Sequence, residues 1–564
     1  MKKVEQALKR KLNDDSGVAY PDFEKMWDRM EQAGQAASTL TNAYDSVESV
    51  TPRRNRNWRK IAIAASLSAL LIAVPVYAAI HYNWDNLLHG RSGIQTALNQ
   101  DLGQPLEQSI TRDGVKLTLH TAIVDENRTV ILYSLNVAKS KDNEFWNVKG
   151  ITLKNATGKN SEGEYNFQQW DPKNQRYNGY FESDWTPQQD TENMRLTVEH
   201  VELDSIQELD LPLDTQSPKI QTFTLDRDGL QDMKVQVFEQ GKDKLLLSSA
   251  ITFDSSIPKR WDNPQIIAYK GGEPVMSQPG GAFGKPGDNG EYTAQQYFIR
   301  EHVPEGQITY KLQYAKTEKS IDEPINFDLH LSKKQMESGT IKTVLNIPLE
   351  KGNPNFIMEQ MVVTPTQIRL TIRGKKKFAD IPYQKYFLSV NGKTLEGNKW
   401  SSPSSTPDLT TLRFERPSDL VIAKDTPITF TGKYKVTIHS DDKTPQRLKD
   451  ISEQKQTLTT QIGGYPVKWT YYKQGADLFV ETESKDARFG GINQTHIGLG
   501  KERILGKPIS ANFTGDGNNK AVDVYKNFKG TEASIYMFFY TTDEPEAEIT
   551  VPLQPLTTQS EASK

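Results

Sequence analysis

The sequence predicts a mainly β protein: several antiparallel β-sandwiches in tandem, preceded by one membrane-spanning helix and a short helical head. Three observations carry this. Ile61 to Ile80 reads IAIAASLSALLIAVPVYAAI, twenty residues without a charge. At about 1.5 Å per helical residue that run reaches roughly 30 Å, the thickness of a bilayer's hydrocarbon core. Beyond it, short segments alternate polar and apolar residues between turn signals, the period of half-buried strands. Before it, two short stretches place apolar residues at helical spacing.

The head comes first. Val4, Leu8 and Leu12 fall at i, i+4 and i+8 among Lys2, Lys3, Lys9, Arg10 and Lys11. Asp14-Asp15-Ser16-Gly17 ends that pattern. Pro21 opens a second helix, with Asp22 and Glu24 favourable at its positive end. Phe23, Met26, Trp27 and Met30 then form one face. Two such helices bury little area, so they either pack on each other or dock in a groove of a cytoplasmic partner. The partner is expected, because short helices gain most of their stability from outside packing. The following residues, to about 57, are polar and small and read as a tether.

The flanks of the apolar run set its orientation. Arg53, Arg54, Arg56, Arg59 and Lys60 crowd its N-terminal side, and His81 to Leu88 carries no Lys or Arg. Positive charge stays in the cytoplasm, so the expectation is a single-pass cell-membrane protein with residues 1–60 inside and 81–564 outside. Leu70 sits at the middle of the span, and Pro75 is tolerated near its end if its freed carbonyl finds a partner. Val76-Tyr77-Ala78 also resembles a signal-peptide cleavage site, but a leader of about 60 residues and a long apolar core favour an anchor.

The tail reads as strands. Val115-Lys-Leu-Thr-Leu-His alternates, and Val130-Ile-Leu-Tyr-Ser-Leu follows the turn Asp125-Glu-Asn. Similar runs begin at Lys234, Ile368, Tyr434, Val467 and Ser534. Glu208-Leu-Asp-Leu-Pro-Leu-Asp, Val344-Leu-Asn-Ile-Pro-Leu-Glu and Glu548-Ile-Thr-Val-Pro-Leu-Gln repeat one strand pattern that stops at Pro-Leu. Their spacing suggests a head and tether over 1–57, a membrane helix with flanks over 58–82 and a juxtamembrane segment over 83–105. Sandwiches follow at 106–220, 221–352, 353–452 and 453–556, with a disordered tail over 557–564.

Composition removes several functions. The net charge of −3 leaves no overall nucleic-acid footprint, although residues 1–60 hold twelve Lys or Arg against nine Asp or Glu. There is no cysteine, which excludes thiolate chemistry and points to a bacterial, Gram-positive surface. The eight histidines show no ligand spacing, so no metal or other cofactor is expected. Gly271 to Gly290 is rich in Gly and Pro, but Gly284-Lys285 runs into Pro286 instead of the Ser or Thr of a phosphate loop, so a mobile loop is expected. Tyr165, Phe167, Trp170, Tyr177, Tyr180, Phe181 and Trp185 suit the core of two strands, or, if exposed, a stacking platform for wall glycan or peptide. No triad, paired carboxylates or nucleophile motif has useful spacing, and no enzyme is expected.

The order of parts resembles a known family. Phe23-Glu-Lys-Met-Trp-Asp-Arg-Met in the head, the basic stop, the span, Gln108-Ser-Ile-Thr-Arg-Asp-Gly-Val-Lys-Leu-Thr-Leu and Val124-Asp-Glu-Asn-Arg-Thr-Val-Ile-Leu-Tyr-Ser-Leu are similar to uncharacterised Gram-positive single-pass membrane proteins, a domain-of-unknown-function family. These resemble anti-sigma factors of extracytoplasmic-function sigma factors and carry immunoglobulin-like ectodomains. The resemblance implies immunoglobulin-like sandwiches outside and a sigma factor held by Val4, Leu8, Leu12, Phe23, Met26, Trp27 and Met30. The head has neither the His nor the Cys pair of zinc-containing anti-sigma heads, which excludes a zinc redox switch. The rival expectation is a membrane-anchored surface stalk that binds cell-wall polymer or peptide and has no regulatory role.

Orientation is tested by adding a protease to intact protoplasts. The tail should be removed and a small head fragment should stay with the membrane. A protected tail would mean the opposite orientation, and a tail already free in the medium would mean cleavage near Ala78.

Overall fold

The computed structural model describes Trp84 and residues 87–553, apart from 139–140, 156–157, 159–164, 241–242, 288–289, 378, 401–405, 441–442 and 511–518. The head residues Val4, Leu8, Leu12, Phe23, Met26, Trp27 and Met30, the basic flank Arg53 to Lys60 and the span Ile61 to Ile80 lie outside the described residues. Among the described residues no helix is long and apolar enough to cross a membrane. The chain is mainly β, built from several antiparallel sheets.

After one helix, α1 (Ser92–Asn99), the first half starts with β1 (Gln104–Arg112) and β2 (Val115–Val124). They are joined by Asp113-Gly114, whose φ angles of 46° and 80° make the two-residue turn that matches strand twist. Then come β3 (Thr129–Asn136), β4 (Glu144–Asn155), β5 (Tyr165–Asp171), β6 (Arg176–Ser183) and the long β7 (Thr191–Leu211). The chain next builds β8 (Gln221–Arg227), β9 (Leu230–Gln240), β10 (Lys244–Phe253), β11 (Trp261–Lys270), β12 (Glu273–Val275), β13 (Gln278–Pro286), β14 (Tyr292–Ile299) and β15 (Ile308–Ile321), and returns through β16 (Ile325–Ser332). One sheet runs β1-β2-β3-β6-β5, and opposite it β7 is flanked by β4 and β16. Between them lies a core that includes Leu117, Ile131, Phe181, Leu196, Phe327 and Leu331. Farther along β7, β15 takes the place of β16 and pairs with β11, and this surface packs on the sheet β13-β14-β10-β9-β8. The second core, with Val235, Leu247, Ile266, Phe298 and Leu312, is therefore inserted into the first, and the ribbon of β7 with β15 and β16 passes through both.

The second half repeats this plan. Its outer strands are β17 (Ile341–Glu350), β18 (Asn353–Val363), β19 (Gln367–Gly374), β20 (Tyr383–Val390), β21 (Lys393–Trp400), β22 (Leu409–Glu415) and β23 (Ile428–Ser440). The insertion comprises β24 (Gln446–Leu448), β25 (Gln456–Ile462), β26 (Tyr465–Gln474), β27 (Asp477–Ser484), β28 (Phe489–Ile492), β29 (Thr495–Ile497), β30 (Ile504–Leu505), β31 (Lys507–Ser510), β32 (Ala521–Tyr525) and β33 (Ala533–Met537). The long β34 (Phe539–Pro552) closes both levels. The outer order β17-β18-β19-β22-β21-β20-β23-β34 matches β1-β2-β3-β6-β5 followed by β4-β7-β16, strand for strand. The inserted sheet β31-β32-β27-β26-β25 matches β13-β14-β10-β9-β8. The described residues thus form two copies of one nested two-core module. They differ at a corner: β20 pairs directly with β21, whereas Asn166 and Gln168 of β5 reach β4 through their side-chain amides, bonded to Val148 O and Trp146 O.

Several sequence expectations are redrawn by this plan. The three Pro-Leu strands occupy three different places, the end of β7, the first strand of the second half and the end of β34. Gly271 to Gly290, expected as a mobile loop, mostly forms β12 and β13. β13 is a sheet edge, where Pro279 and Pro286 need not donate to a ladder on both sides. The aromatic stretch divides. Tyr177, Tyr180 and Phe181 are buried, Trp170 and Trp185 pack against the first core, and Tyr165 and Phe167 are 41% exposed.

Candidate functional site

Asp125, Arg128, Glu182, Lys333 and Arg413 are all buried, and all lie where the two outer cores meet. The site starts from two equivalent turns. Between β2 and β3, Asp125 N donates to Arg128 O at 3.0 Å, and Asp125 Oδ1 accepts the backbone N–H groups of Asn127 and Arg128 at 2.7 and 3.0 Å. This is the local bonding for which Asp is favoured in turns. Between β18 and β19, Thr364 N donates to Gln367 O at 2.9 Å, and Thr364 Oγ1 accepts from Gln367 N at 3.1 Å.

The two turns interlock. Asn127 Nδ2 donates to Val362 O and Gln367 O at 3.0 and 3.3 Å. Thr366 Oγ1 donates to Asp125 Oδ2 at 2.5 Å and accepts from Arg128 Nε at 3.1 Å. Arg128 Nη1 donates to Glu182 Oε1 at 3.1 Å and to Glu415 Oε1 at 2.7 Å, while Nη2 reaches Glu415 Oε2 at 3.0 Å and Thr366 O at 3.2 Å. All of its donor nitrogens are used in the fork geometry that suits a carboxylate. Asp184 and Glu415 occupy matching positions just beyond β6 and at the end of β22. Each accepts an arginine from the opposite half, Arg413 on Asp184 and Arg128 on Glu415. The Arg413 guanidinium also stacks 3.9 Å from the Trp400 ring centre.

Burial alone would depress the pKa of Arg128, but Glu415 and Glu182 outweigh it and hold the guanidinium above its ordinary value. Burial pushes Glu415 up, and Arg128 and Arg91 outweigh that and hold it below the ordinary carboxylate value. The network is charged on both sides, so removing one member leaves another buried without its counter-ion.

The segment around α1 is locked into the same junction. Arg91, which precedes α1, lies 3.1 Å from both Glu182 Oε2 and Glu415 Oε1. Ser92 Oγ donates to Arg416 O at 3.3 Å. A Cβ added at Gly93 would lie 1.7 Å from Thr366 O, so only glycine lets the helix approach this turn. Trp84, Leu87, Leu88, Ile94, Ala97 and Leu98 form one cluster with Ile123, Val130, Leu132 and Tyr180, which line the outer face of the first sheet. Met336, in the connection between the halves, completes it. Trp84 also meets His120 edge-on at 6.0 Å. His120 is buried with Nε2 2.8 Å from Ser134 Oγ, and burial, with Arg176 and Lys116, lowers its pKa to about 4.

One comparison with known proteins overlaps this region. The model of the family described as Domain of unknown function (DUF4179) matches residues 53–136. A DUF4179 domain is present there. That DUF4179 segment runs from the basic flank to the end of β3, and so includes the apolar run, α1 and the Asp125–Arg128 turn. No curated protein matches the chain. "The crystal structure of the conserved domain protein from Bacillus anthracis" aligns with 56% of this chain and 91% of its own, at 12% identity and a TM-score of 0.15. The residues picked from sequence as partner-binding, spanning or topogenic all lie outside the described residues. The sequence signal for the junction is an Arg in the turn Asp125-Glu-Asn-Arg, set between two apolar strands.

Arg128→Met should lower stability by about 3 to 5 kcal/mol, read as a shifted urea midpoint of the full chain in detergent. Gly93→Ala should loosen the same junction. Arg195→Met, which removes an exposed pair with Asp328, is the control and should leave the midpoint unchanged. Equal midpoints for Arg128→Met and wild type would remove the junction's structural role.

His120 gives a pH window. Its folded value of about 4 lies below its ordinary 6.5, so between these pH values the unfolded chain binds the extra proton. Stability therefore rises with pH across the window, by up to about 3 kcal/mol from this group. Asp523, pushed up to about 6 by burial, has the opposite slope, so the test is a difference. The thermal midpoint of wild type should gain on that of His120→Asn from pH 4 to 6.5, and parallel curves would contradict the assignment.

Proposed function

We propose that this chain is a single-pass membrane regulatory protein, anti-sigma-factor-like. Its cytoplasmic N-terminal helices hold a sigma factor inactive, and its extracellular immunoglobulin-like sandwiches sense an outside condition. The observation that carries this reading is how few residues in sequence separate the apolar run from the packed tail. Ile80 is followed four residues later by Trp84, which is 4% exposed, and Arg91 is already tied to both halves through Glu182 and Glu415. A passive anchor needs only a flexible tether. A junction that keys the exit of the span to both halves lets a change in their relationship bear on the membrane segment, as a bistable packed interface can. The extent of the DUF4179 match, from flank to β3, supports treating span and junction as one unit.

The partner is tested through Trp27. Trp27→Ala removes a large aromatic anchor from the head stripe and should cost about 2 kcal/mol or more of binding, a loss of roughly 30-fold. The full chain, solubilised from membranes, should co-purify a sigma factor, and the variant should not. Capture of no sigma factor, or equal capture by Trp27→Ala, would overturn the reading.

A further inference from the structure

The inserted cores also meet. Phe238, Leu246 and Tyr297, neighbours across β9, β10 and β14, pack on Tyr472, Phe479 and Val524, their counterparts across β26, β27 and β32. Equivalent rows from the two modules thus make one small apolar contact. Beside it the two sheet faces diverge around a cleft of about 710 Å³, within the range of clefts that take small ligands.

The lining of the cleft is selective. Its first wall ends in small residues, Ser248, Ala250, Ala282 and Thr293, which leave room for close approach. Polar bridges cross its base. Gln236 Nε2 lies 3.4 Å from Gln474 Oε1, and Gln295 Nε2 donates to Ile509 O. Gln295 Oε1 and Gln474 Nε2 have no hydrogen bond among the described residues, an acceptor and a donor that match the two groups of a peptide bond. Two strands, β13 and β31, border the cleft, each paired on one side only among the described residues, so main-chain groups for an extended chain are present as well. Of the charged residues, Lys526 is paired with Asp477 at 2.6 Å, and Asp477 also accepts from Asn527 N at 3.0 Å. Lys234 is exposed on the wall and has no carboxylate partner among the described residues.

We propose that this cleft binds a short extended peptide with a free carboxylate, with Lys234 as counter-ion and Gln295 and Gln474 bonding to the peptide backbone. Bound there, the peptide touches both inserted cores. Each is joined by a continuous two-stranded ribbon to an outer core, and the outer cores meet at the Arg128 network. The inference deepens the sensing reading above by naming its ligand class, and rests on that reading for its consequence only.

The full chain in detergent is dialysed against a randomised tetrapeptide pool with free C-terminal carboxylates, and separately against the same pool amidated. Retained peptides are measured by mass spectrometry. Wild type should enrich a subset of the free-acid pool at least 10-fold over the amidated pool. Ser248→Trp, which fills the space beside the first wall, should abolish enrichment. Lys234→Ala, an exposed change that leaves the fold intact, should reduce it at least 5-fold. Arg195→Met, the exposed control, should bind the pool like wild type. No enrichment by wild type, equal retention of the amidated pool, or undiminished binding by Lys234→Ala would each overturn the proposal. If sigma-factor capture persists while peptide binding is absent, the ligand assignment fails and the head reading stands.

Discussion

Arg128 is the group on which the arrangement of the two halves depends. It is 1% exposed and reaches Glu182 in its own half and Glu415 and Thr366 in the other. Taking a guanidinium out of water is expensive, and two carboxylates at close range are what make the burial tolerable. The constraint is geometric as much as energetic. A fork of donors aimed at fixed acceptors permits one relative placement of the turns, where a greasy contact would permit sliding. Arg413 on Asp184 repeats the exchange in the other direction, so the halves are keyed twice.

Duplication explains why the key is reciprocal. Matching turns and matching strand ends face one another, and the inserted cores likewise meet through matching rows. The departures from symmetry are where function is best sought. Only the first half carries α1 on its outer sheet face, and the second half closes its corner with the β20–β21 ladder that side-chain amides replace in the first. The segment around α1 therefore packs on one half directly and reaches the other only through the ion network. Nesting adds a further property. Each inserted core is joined to its outer core by a long strand, β7 paired in turn with β16 and β15, or β23 paired with β34, so movement of one is resisted by a hydrogen-bonded ribbon rather than a hinge loop.

Much of the local structure was legible. Asp113-Gly114, Asp228-Gly229 and Gly463-Gly464 each turn a hairpin with both φ angles positive, a demand that these residue types announce. The alternating runs at Val115, Val130, Lys234, Ile368 and Val467 are strands, because a two-residue period has one burial solution. The Pro-Leu pattern was less informative. It marks where a strand stops, and strands stop for the same reason in unrelated places of a fold. The polar run at 440–457 reads as a linker, yet it includes β24, which pairs with β33 inside the inserted core. A three-residue strand leaves almost no periodic signal.

What the sequence determined by itself is the class of the molecule: a mainly β chain with hairpins at specified turns, a long uncharged apolar run at Ile61 to Ile80 with its positive flank, and no thiol chemistry. These follow from local properties, namely period, turn conformation, charge and composition. What only the tertiary structure decided is which strands share a sheet and which charges share a site. β7 pairs with β16 across more than a hundred residues, and Arg128 pairs with Glu415 at a separation of 287. No local pattern encodes such partners, since a buried arginine and an exposed one look alike in sequence. Their difference lies in which carboxylates the fold brings within reach once the solvent is gone.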